Sequence, residues 1–309
     1  MTACNVTDVN DMTNINTNIN PELLRLLFEQ YGALANEIVC GYSVHRPITL
    51  RINRLKAERD EVIEALELSG AKIETVGWYD DAVIVRNISQ GDIESMDIYK
   101  DGKIYLQSLS SMVPPILLLA RPGESVLDMA AAPGGKTTQI AALTGGKADI
   151  TACEKNKIRA KRMKFNLERQ GAGRVTVMVC DSRRLDPNFC FDKILLDAPC
   201  SGSGTVLHGS CDFTLELYER SRRTQKQLLD KALSLLHPGK RLVYSTCSVL
   251  FGENEDVIET ALEKKARIIE ISNDAFSEIP RLPVKIKGTL CIKPTELYEG
   301  FFAAVLEKI

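Results

Sequence analysis

The order of hydrophobic and polar positions changes once along the chain. Up to about residue 115, short apolar runs alternate irregularly with polar segments, a pattern typical of a small α+β module. The predicted elements are helices at 21–31 and 57–68, strands at 48–52, 72–78, 82–86 and 104–106, and a hairpin turn at 100–103. Residues 1–20 carry no apolar periodicity and are predicted to be a disordered tail, so the module is expected to span 21–115.

From about Gly123 onward, short apolar strands alternate regularly with helices. The predicted strands lie at 125–129, 148–153, 175–179, 193–196 and 241–244, and the predicted helices at 136–143, 155–169 and 216–236. This alternation predicts a doubly wound, mostly parallel sheet, so residues 116–309 are expected to form an α/β domain. Ligands of such sheets bind beyond the carboxyl ends of the strands, and the functional residues are expected there.

Composition restricts the class of protein. The 309 residues are 44% hydrophobic, but no apolar segment is long enough to cross a membrane and the first twenty residues lack a signal core. A globular, cytoplasmic, monomeric protein is therefore expected. The nine cysteines are scattered without a CxxC pair and there are only three histidines, so neither a disulfide framework nor a metal site is predicted.

The net charge is −2, but the charged residues are unevenly distributed along the chain. Residues 155–169 hold seven basic side chains and one acidic one, a second basic cluster lies at 220–226, and acidic residues concentrate at 253–263. Basic surfaces favour nucleic acid, because phosphate contacts supply most of its affinity. Most charge runs are only the solvated face of a helix, so the pattern permits RNA binding without requiring it.

The first strand of the predicted parallel sheet ends at Asp128 and leads into Ala130-Ala131-Ala132-Pro133-Gly134-Gly135-Lys136-Thr137. Small residues and paired glycines let a ligand approach the backbone, and the following helix directs unpaired amide groups at it. A loop of this kind can also be purely structural. It lacks the upstream glycine of a phosphate-binding loop, so nucleotide hydrolysis is not predicted.

Carboxylates follow the next two predicted strands. Glu154, 26 residues after Asp128, is suited to accept the two hydroxyls of a ribose, and Asp181 is suited to accept an adenine amino group. Either residue alone could instead cap the next helix. Acidic residues after successive strands favour a nucleoside-type ligand over that alternative.

Two cysteines follow the fourth and fifth predicted strands, in the segments Asp197-Ala198-Pro199-Cys200-Ser201-Gly202 and Ser245-Thr246-Cys247-Ser248. Buried packing is the commonest role of a free cysteine, but these two lie in serine-rich loops where ligands bind. A thiolate that adds to C6 of cytosine makes C5 nucleophilic, an acid near N3 stabilises the charge, and a second thiol can assist release. The target base would have to be unpaired or flipped out.

The segments 130–136, 197–202 and 245–248 resemble, in their order and spacing, those of the RNA 5-methylcytosine methyltransferases of the NOL1/NOP2/Sun type. The resemblance covers roughly residues 45–309. Upstream, 51–56 is similar to the family's RxNxLK segment, and 300–304 to its last strand. The resemblance implies a Rossmann-like, S-adenosylmethionine-dependent catalytic domain that acts on rRNA or tRNA, preceded by a small RNA-binding module. The loop 206–212 departs from the family's basic stretch and Pro-x-Asp segment, so no RNA contact is predicted from it.

The resemblance also implies residue roles. Cys247 is the predicted nucleophile that attacks C6, Cys200 is needed for product release, and Asp197 and Lys136 lie near the target base. The predicted contacts to S-adenosylmethionine are Ala130, Ala131, Ala132, Pro133, Gly134, Gly135, Lys136, Glu154, Arg159, Asp181 and Asp197. The predicted RNA contacts are Arg51, Asn53 and Lys56.

There are two alternatives: a different kind of methyltransferase built on the same type of sheet, and a protein of another class, an RNA-binding assembly factor. Adenine-amino methyltransferases carry (Asp/Asn)-Pro-Pro-(Tyr/Phe) where this chain has Asp197-Ala198-Pro199-Cys200, and DNA cytosine enzymes carry a Glu-Asn-Val segment that is absent here. An RNA-binding assembly factor that retains the fold without catalysis need not bind S-adenosylmethionine. The sequence does not specify which RNA or which cytosine is modified.

Overall fold

The computed structural model describes residues 19–206, 212–262, 265–272 and 274–309. The predicted tail lies outside the described residues except for Ile19 and Asn20, as does most of the loop 206–212. The helices are α1 (Pro21–Tyr31), α2 (Ala35–Tyr42), α3 (Arg59–Leu68), α4 (Gln90–Ser95), α5 (Asp97–Lys100), α6 (Leu109–Leu118), α7 (Gly135–Leu143), α8 (Lys157–Arg169), α9 (Leu215–Leu235) and α10 (Glu255–Leu262). Among the described residues, no helix combines the length and apolar character needed to cross a membrane.

The strands form two sheets. They are β1 (Ile48–Ile52), β2 (Lys72–Thr75), β3 (Ala82–Arg86), β4 (Ile104–Leu106), β5 (Ser125–Asp128), β6 (Asp149–Cys153), β7 (Thr176–Met178), β8 (Phe191–Asp197), β9 (Leu236–Thr246), β10 (Ala266–Ile269), β11 (Arg281–Leu282), β12 (Leu290–Ile292) and β13 (Phe301–Lys308). The small sheet has the order β2-β3-β1-β4, and the large one β11-β12-β13-β9-β8-β5-β6-β7 with β10 beside β13.

The small sheet is antiparallel throughout and has its own hydrophobic cluster, which includes Leu50, Ile52 and Val83. The predicted hairpin at 100–103 is wrong. These residues end α5 and lead into β4: the amide of Lys103 bonds to the carbonyl of Ile98 at 2.9 Å. Gly102 adopts the left-handed conformation that commonly closes a helix, so its glycine signals a helix end and not a strand turn.

The large sheet confirms the predicted α/β class. Strands β5 to β9 run parallel in the order β7-β6-β5-β8-β9, and β13 joins β9 antiparallel. Strands β8 and β9 are neighbours, with Asp197 opposite Ser245 at their carboxyl ends. The loops that carry the two candidate thiols therefore leave the same edge of the sheet.

Helices α1 and α2 pack against the large sheet and not against the small one. Asn20 caps α1 by accepting from the amide of Glu22 at 2.8 Å, and Leu23, Leu27 and Tyr42 are fully or almost fully buried in the cluster beneath the large sheet. The hydroxyl of Tyr42 donates to the carbonyl of Ser203, in the loop after β8. The first helices of the chain thus brace the edge of the sheet where ligands are expected.

Candidate active site

The loop after β5 is shaped by two glycines. Gly134 has φ +104°, and the cap it makes lets α7 begin at Gly135. A β-carbon on Gly135 would lie 2.9 Å from the ring of Tyr105. The amide of Ala131 bonds to the carbonyl of Cys153 at 2.9 Å, which ties the loop to β6. The tight turn leaves cavities on both sides of the loop, and Ala130 lines both.

The first cavity collects the predicted carboxylates Glu154 and Asp181 together with Arg159. Glu154 is 4% exposed and accepts from the amide of Asn156 at 2.7 Å. Arg159 lies 3.4 Å from the Glu154 carboxylate and donates to the carbonyl of Ala132 at 2.7 Å. Asp181 pairs with Arg183, and hydrogen bonds from Arg183 lower the pKa of Asp181 to about 2.

The second cavity, of about 240 Å³, holds Lys136, Asp197 and Asp128. The ammonium of Lys136 lies 2.7 Å from Oδ2 of Asp197, whose Oδ1 accepts from the hydroxyl of Ser245 at 2.7 Å. Burial opposes the charge on Lys136, but Asp197, Asp128 and Cys247 together raise its pKa above the ordinary value. Burial raises the pKa of Asp128 to about 6, and its Oδ1 has no hydrogen-bond partner among the described residues. The cavity thus offers a cation, a fixed carboxylate and an unused acceptor.

The two predicted thiols lie side by side. Sγ of Cys200 is 3.0 Å from Sγ of Cys247, and both side chains are partly exposed. The hydrogen bond to Cys247, burial and the charge of Cys247 raise the pKa of the Cys200 thiol well above its usual value. Cys200 is therefore held as a thiol while Cys247 is free of any covalent bond to substrate.

Two buried residues that the sequence analysis did not identify support these loops. They lie at the start of the acidic stretch 253–263, yet Glu253 and Asn254 are both 0% exposed. Glu253 accepts from the amide and hydroxyl of Ser201, and Asn254 bonds to Thr246 and Ser248 on either side of Cys247. Their apolar neighbours, Val249-Leu250-Phe251 before them and Val257-Ile258 after them, are the signal that could have indicated burial.

Arg51 and Asn53, two of the predicted RNA contacts, are buried in this structure. Arg51 is 0% exposed and donates to Gln107 and Thr138, while Asn53 is 1% exposed and donates to the carbonyls of Gly102 and Gln170. Both side chains are used inside the protein, where they join the small sheet to the large domain. Lys56 is exposed, with its ammonium 2.9 Å from the carbonyl of Asp101.

Two family profiles match the chain. Residues 115–307 match the family described as 16S rRNA methyltransferase RsmB/F, and residues 23–90 match the ferredoxin-like domain of RsmF/B-like methyltransferases. The first match spans most of the large sheet and all the loops described above.

Individual relatives agree with these matches. The chain is 33% identical to the 25S rRNA (cytosine-C(5))-methyltransferase nop2 of Schizosaccharomyces pombe, covering 93% of this chain and 50% of that protein. It is 35% identical to ribosomal RNA small subunit methyltransferase F of Shewanella amazonensis, covering 87% and 59%. It thus spans half to three fifths of the length of these relatives. The crystal structure of a methyltransferase homolog protein from Pyrococcus horikoshii is 32% identical, with a TM-score of 0.81 over 94% of this chain and 100% of that one.

Proposed function

The chain belongs to the RsmB/F family of 16S rRNA methyltransferases, as its resemblance to the NOL1/NOP2/Sun type predicted, and we propose that it methylates C5 of a cytosine in RNA with S-adenosylmethionine as the methyl donor. The observation that carries this proposal is the placement of Cys200 and Cys247. Their sulfurs lie 3.0 Å apart at the ends of adjacent parallel strands. The Lys136–Asp197 pair lies at the same edge of the sheet and lines the 240 Å³ cavity.

The groups that line the first cavity suit the nucleoside part of the proposed cofactor, and the cavity, of about 60 Å³, would have to widen to admit it. Ala130 adds little bulk to its wall, and the buried Glu154 carboxylate offers acceptors for two hydroxyls. Asp181 stays ionised because Arg183 lowers its pKa, and it can accept from an amino group. The predicted contact residues 130–136, Glu154, Arg159, Asp181 and Asp197 remain proposals. When bound, the cofactor supplies an electrophilic methyl group on a sulfonium.

Cys247 is the proposed nucleophile. Its sulfur forms a bond to C6 of cytosine, which shifts electron density to C5. Lys136 and Asp197, fixed to each other and to Ser245, are proposed to lie beside the ring nitrogen, where the Lys136 ammonium stabilises the negative charge that develops and Asp197 holds that ammonium in place. Because these groups are already hydrogen-bonded, little reorganisation is needed when the base enters.

Cys200 is the proposed residue for release. Once the sulfur of Cys247 is bonded to C6, it no longer shares a proton with Cys200 and no longer carries charge, so two of the causes that raise the pKa of Cys200 are removed. Cys200 gives its own proton to solvent and its thiolate takes the C5 proton; the C–H electrons then re-form the C5–C6 double bond, and the C6–S bond breaks with its electron pair going to Cys247. In this proposal Cys200 is a thiol at rest and the base of the elimination.

The exposed face of α8 is the proposed RNA surface near the site. Lys157, Lys161, Arg162 and Lys164 are exposed and form no ion pair with any residue that the structure describes. On the same helix, Phe165 is 62% exposed and can stack on a base. Asn166 of α8 donates to the carbonyl of Pro133 at 2.9 Å, so this face is continuous with the loop between the two cavities.

Transfer of labelled methyl groups from S-adenosylmethionine to RNA tests the proposed function. We expect incorporation into rRNA or tRNA and recovery of the label as 5-methylcytidine, with binding of S-adenosylhomocysteine measured in parallel by calorimetry. Label in another nucleoside would contradict the proposed chemistry. Absence of cofactor binding would favour the RNA-binding assembly factor. Bisulfite sequencing of RNA from cells with and without the gene would identify the cytosine.

We also propose that the chain divides between residues 115 and 116, that the protein is cytoplasmic and that it is a monomer. Limited proteolysis tests the first, and the packing of α1 and α2 on the large sheet predicts that a fragment starting at 116 is less stable than the full chain.

A further inference from the structure

Glu253 and Asn254 are adjacent in sequence and lie between the two thiol loops. Glu253 ends the short 3-10 turn Phe251–Glu253, and Asn254 directly precedes α10. Both side chains are 0% exposed, so neither can touch RNA or cofactor in this arrangement. A buried carboxylate without a cationic partner in direct contact is costly unless its oxygens are hydrogen-bonded. Its partners therefore indicate what it does.

The partners of Glu253 belong to the loop of Cys200. Its carboxylate accepts from the amide of Ser201 at 2.7 Å and from the hydroxyl of Ser201 at 2.6 Å. Gln225 of α9 holds the other side of the thiol, because its amide donates to the carbonyl of Pro199 at 2.9 Å and lies 3.4 Å from Glu253. Cys200 is thus fixed by its two immediate neighbours in sequence.

The partners of Asn254 belong to the loop of Cys247. Its Oδ1 accepts from the hydroxyl of Thr246 at 2.5 Å, and its Nδ2 donates to the carbonyl of Ser248 at 2.9 Å. Cys247 is therefore also fixed by the residues before and after it. The two loops have further direct ties, such as the hydrogen bond from the amide of Gly204 to the carbonyl of Cys247 at 2.9 Å, so loss of one support should loosen the site without unfolding it.

We propose that Glu253 and Asn254 form a positioning pair that sets the separation of the two thiols, with Glu253 acting on Cys200 and Asn254 on Cys247. Consecutive residues of one buried turn hold the two loops, so a single peptide unit links the support of Cys200 to the support of Cys247. The proposal rests on the proposed function for the roles of the thiols, but the geometric part stands independently of it. Both are positioning residues, since neither reaches the cavity.

The roles of the thiols give the two residues opposite effects on catalysis. Loosening the Cys200 loop slows release, so Glu253→Leu should accumulate the covalent RNA adduct in a single turnover. Loosening the Cys247 loop slows attack, so Asn254→Leu should form the adduct about tenfold more slowly and accumulate none. For Asn254→Leu, kcat should fall while KM for RNA changes little, because the side chain is not exposed. For Glu253→Leu, accumulation of the adduct should lower kcat and KM for RNA together.

The next residue supplies a matched control. Glu255 is 1% exposed and acidic, but its carboxylate faces the amide of Lys285 at 3.4 Å and touches neither thiol loop. Because Glu255 has no hydrogen bond to either thiol loop among the described residues, Glu255→Leu should leave the adduct kinetics within about twofold of wild type. If a leucine variant does not fold, Glu253→Gln and Asn254→Asp, which keep the side-chain volume, replace it.

Thiol pairing in the protein alone tests the geometry without RNA or cofactor. Diamide takes up the two hydrogens as the Cys200–Cys247 disulfide forms, and the bridged peptide is quantified by mass spectrometry. We expect the rate of pairing to fall about tenfold in Glu253→Leu and Asn254→Leu and to stay unchanged in Glu255→Leu, with Glu253→Gln recovering part of the loss because it keeps an acceptor for Ser201.

Each outcome has one meaning. Equal pairing rates in all variants, or the same adduct behaviour for Glu253→Leu and Asn254→Leu, would overturn the positioning pair. A wild-type protein that binds no cofactor and forms no adduct would instead overturn the proposed function, and the pairing rates would still decide whether the pair positions the thiols.

Discussion

The rim of the large sheet and the segment 51–56 both carry polar side chains that the sequence marks as functional, but the two regions use them differently. At the rim, Lys136 and Asp197 line a cavity. In the segment, Arg51 and Asn53 are buried and bind other parts of the protein. Polar residues that follow a parallel strand reach the ligand edge, whereas polar residues on or just after an interior strand are available to join two sheets. The type of sheet, parallel around Asp197 and antiparallel around Asn53, therefore separates the catalytic candidates from the structural ones.

The largest expected effect is at the rim. Cys247→Ala should lower the methylation rate by about a thousandfold or more, because it removes the sulfur proposed to form the bond to C6. The rate of methyl incorporation under single-turnover conditions measures this, with Cys153→Ala as a control thiol in the core. Retained activity would show that the rim does not supply the nucleophile.

The Lys136–Asp197 pair should come next. Lys136→Met removes the cation and leaves the Asp197 carboxylate with only the hydroxyl of Ser245, so we expect about a hundredfold loss in kcat. Affinity for S-adenosylhomocysteine, measured by calorimetry, should change much less. A loss confined to cofactor affinity would show that Lys136 contacts the cofactor and not the target base.

A substitution in the segment 51–56 should lower the stability of the protein and leave RNA binding unchanged. Asn53→Ala leaves the carbonyls of Gly102 and Gln170 and the amide of Leu55 without their partner, so the free energy of unfolding should fall by about 2 kcal/mol. Urea denaturation measures the loss, and RNA affinity of the folded protein should be unchanged. Weaker RNA binding at unchanged stability would restore the original RNA interpretation of Asn53.

The exposed face of α8 should give the smallest effect. Lys161→Ala with Lys164→Ala should weaken RNA binding a few fold and reduce the slope of log affinity against log salt by about 0.7 to 0.9 per cation removed. Unfolding free energy should stay the same, since neither lysine forms an ion pair with a described residue. An unchanged salt slope would place the RNA elsewhere on the surface.

The sequence predicted the five parallel strands β5 to β9, because strand and helix alternation there is set by burial on both faces, but it did not predict β10, β11 and β12 of the same sheet. Segments where packing overrides local preference were missed. Helix α6 contains Pro114 and Pro115, which argue against a helix, yet it is buried between the sheet and α7. Glu253 and Asn254 were missed for a related reason: a charged run resembles a solvated face until the loops that it supports are placed around it.

Trapping of the covalent RNA adduct distinguishes the proposed roles of the two thiols. Cys200→Ala should form the bond between Cys247 and RNA but fail to release it, giving a shifted protein band on a denaturing gel, while Cys247→Ala and the double variant should give none. A shifted band with Cys247→Ala and none with Cys200→Ala would reverse the two roles and contradict the mechanism proposed for this pair.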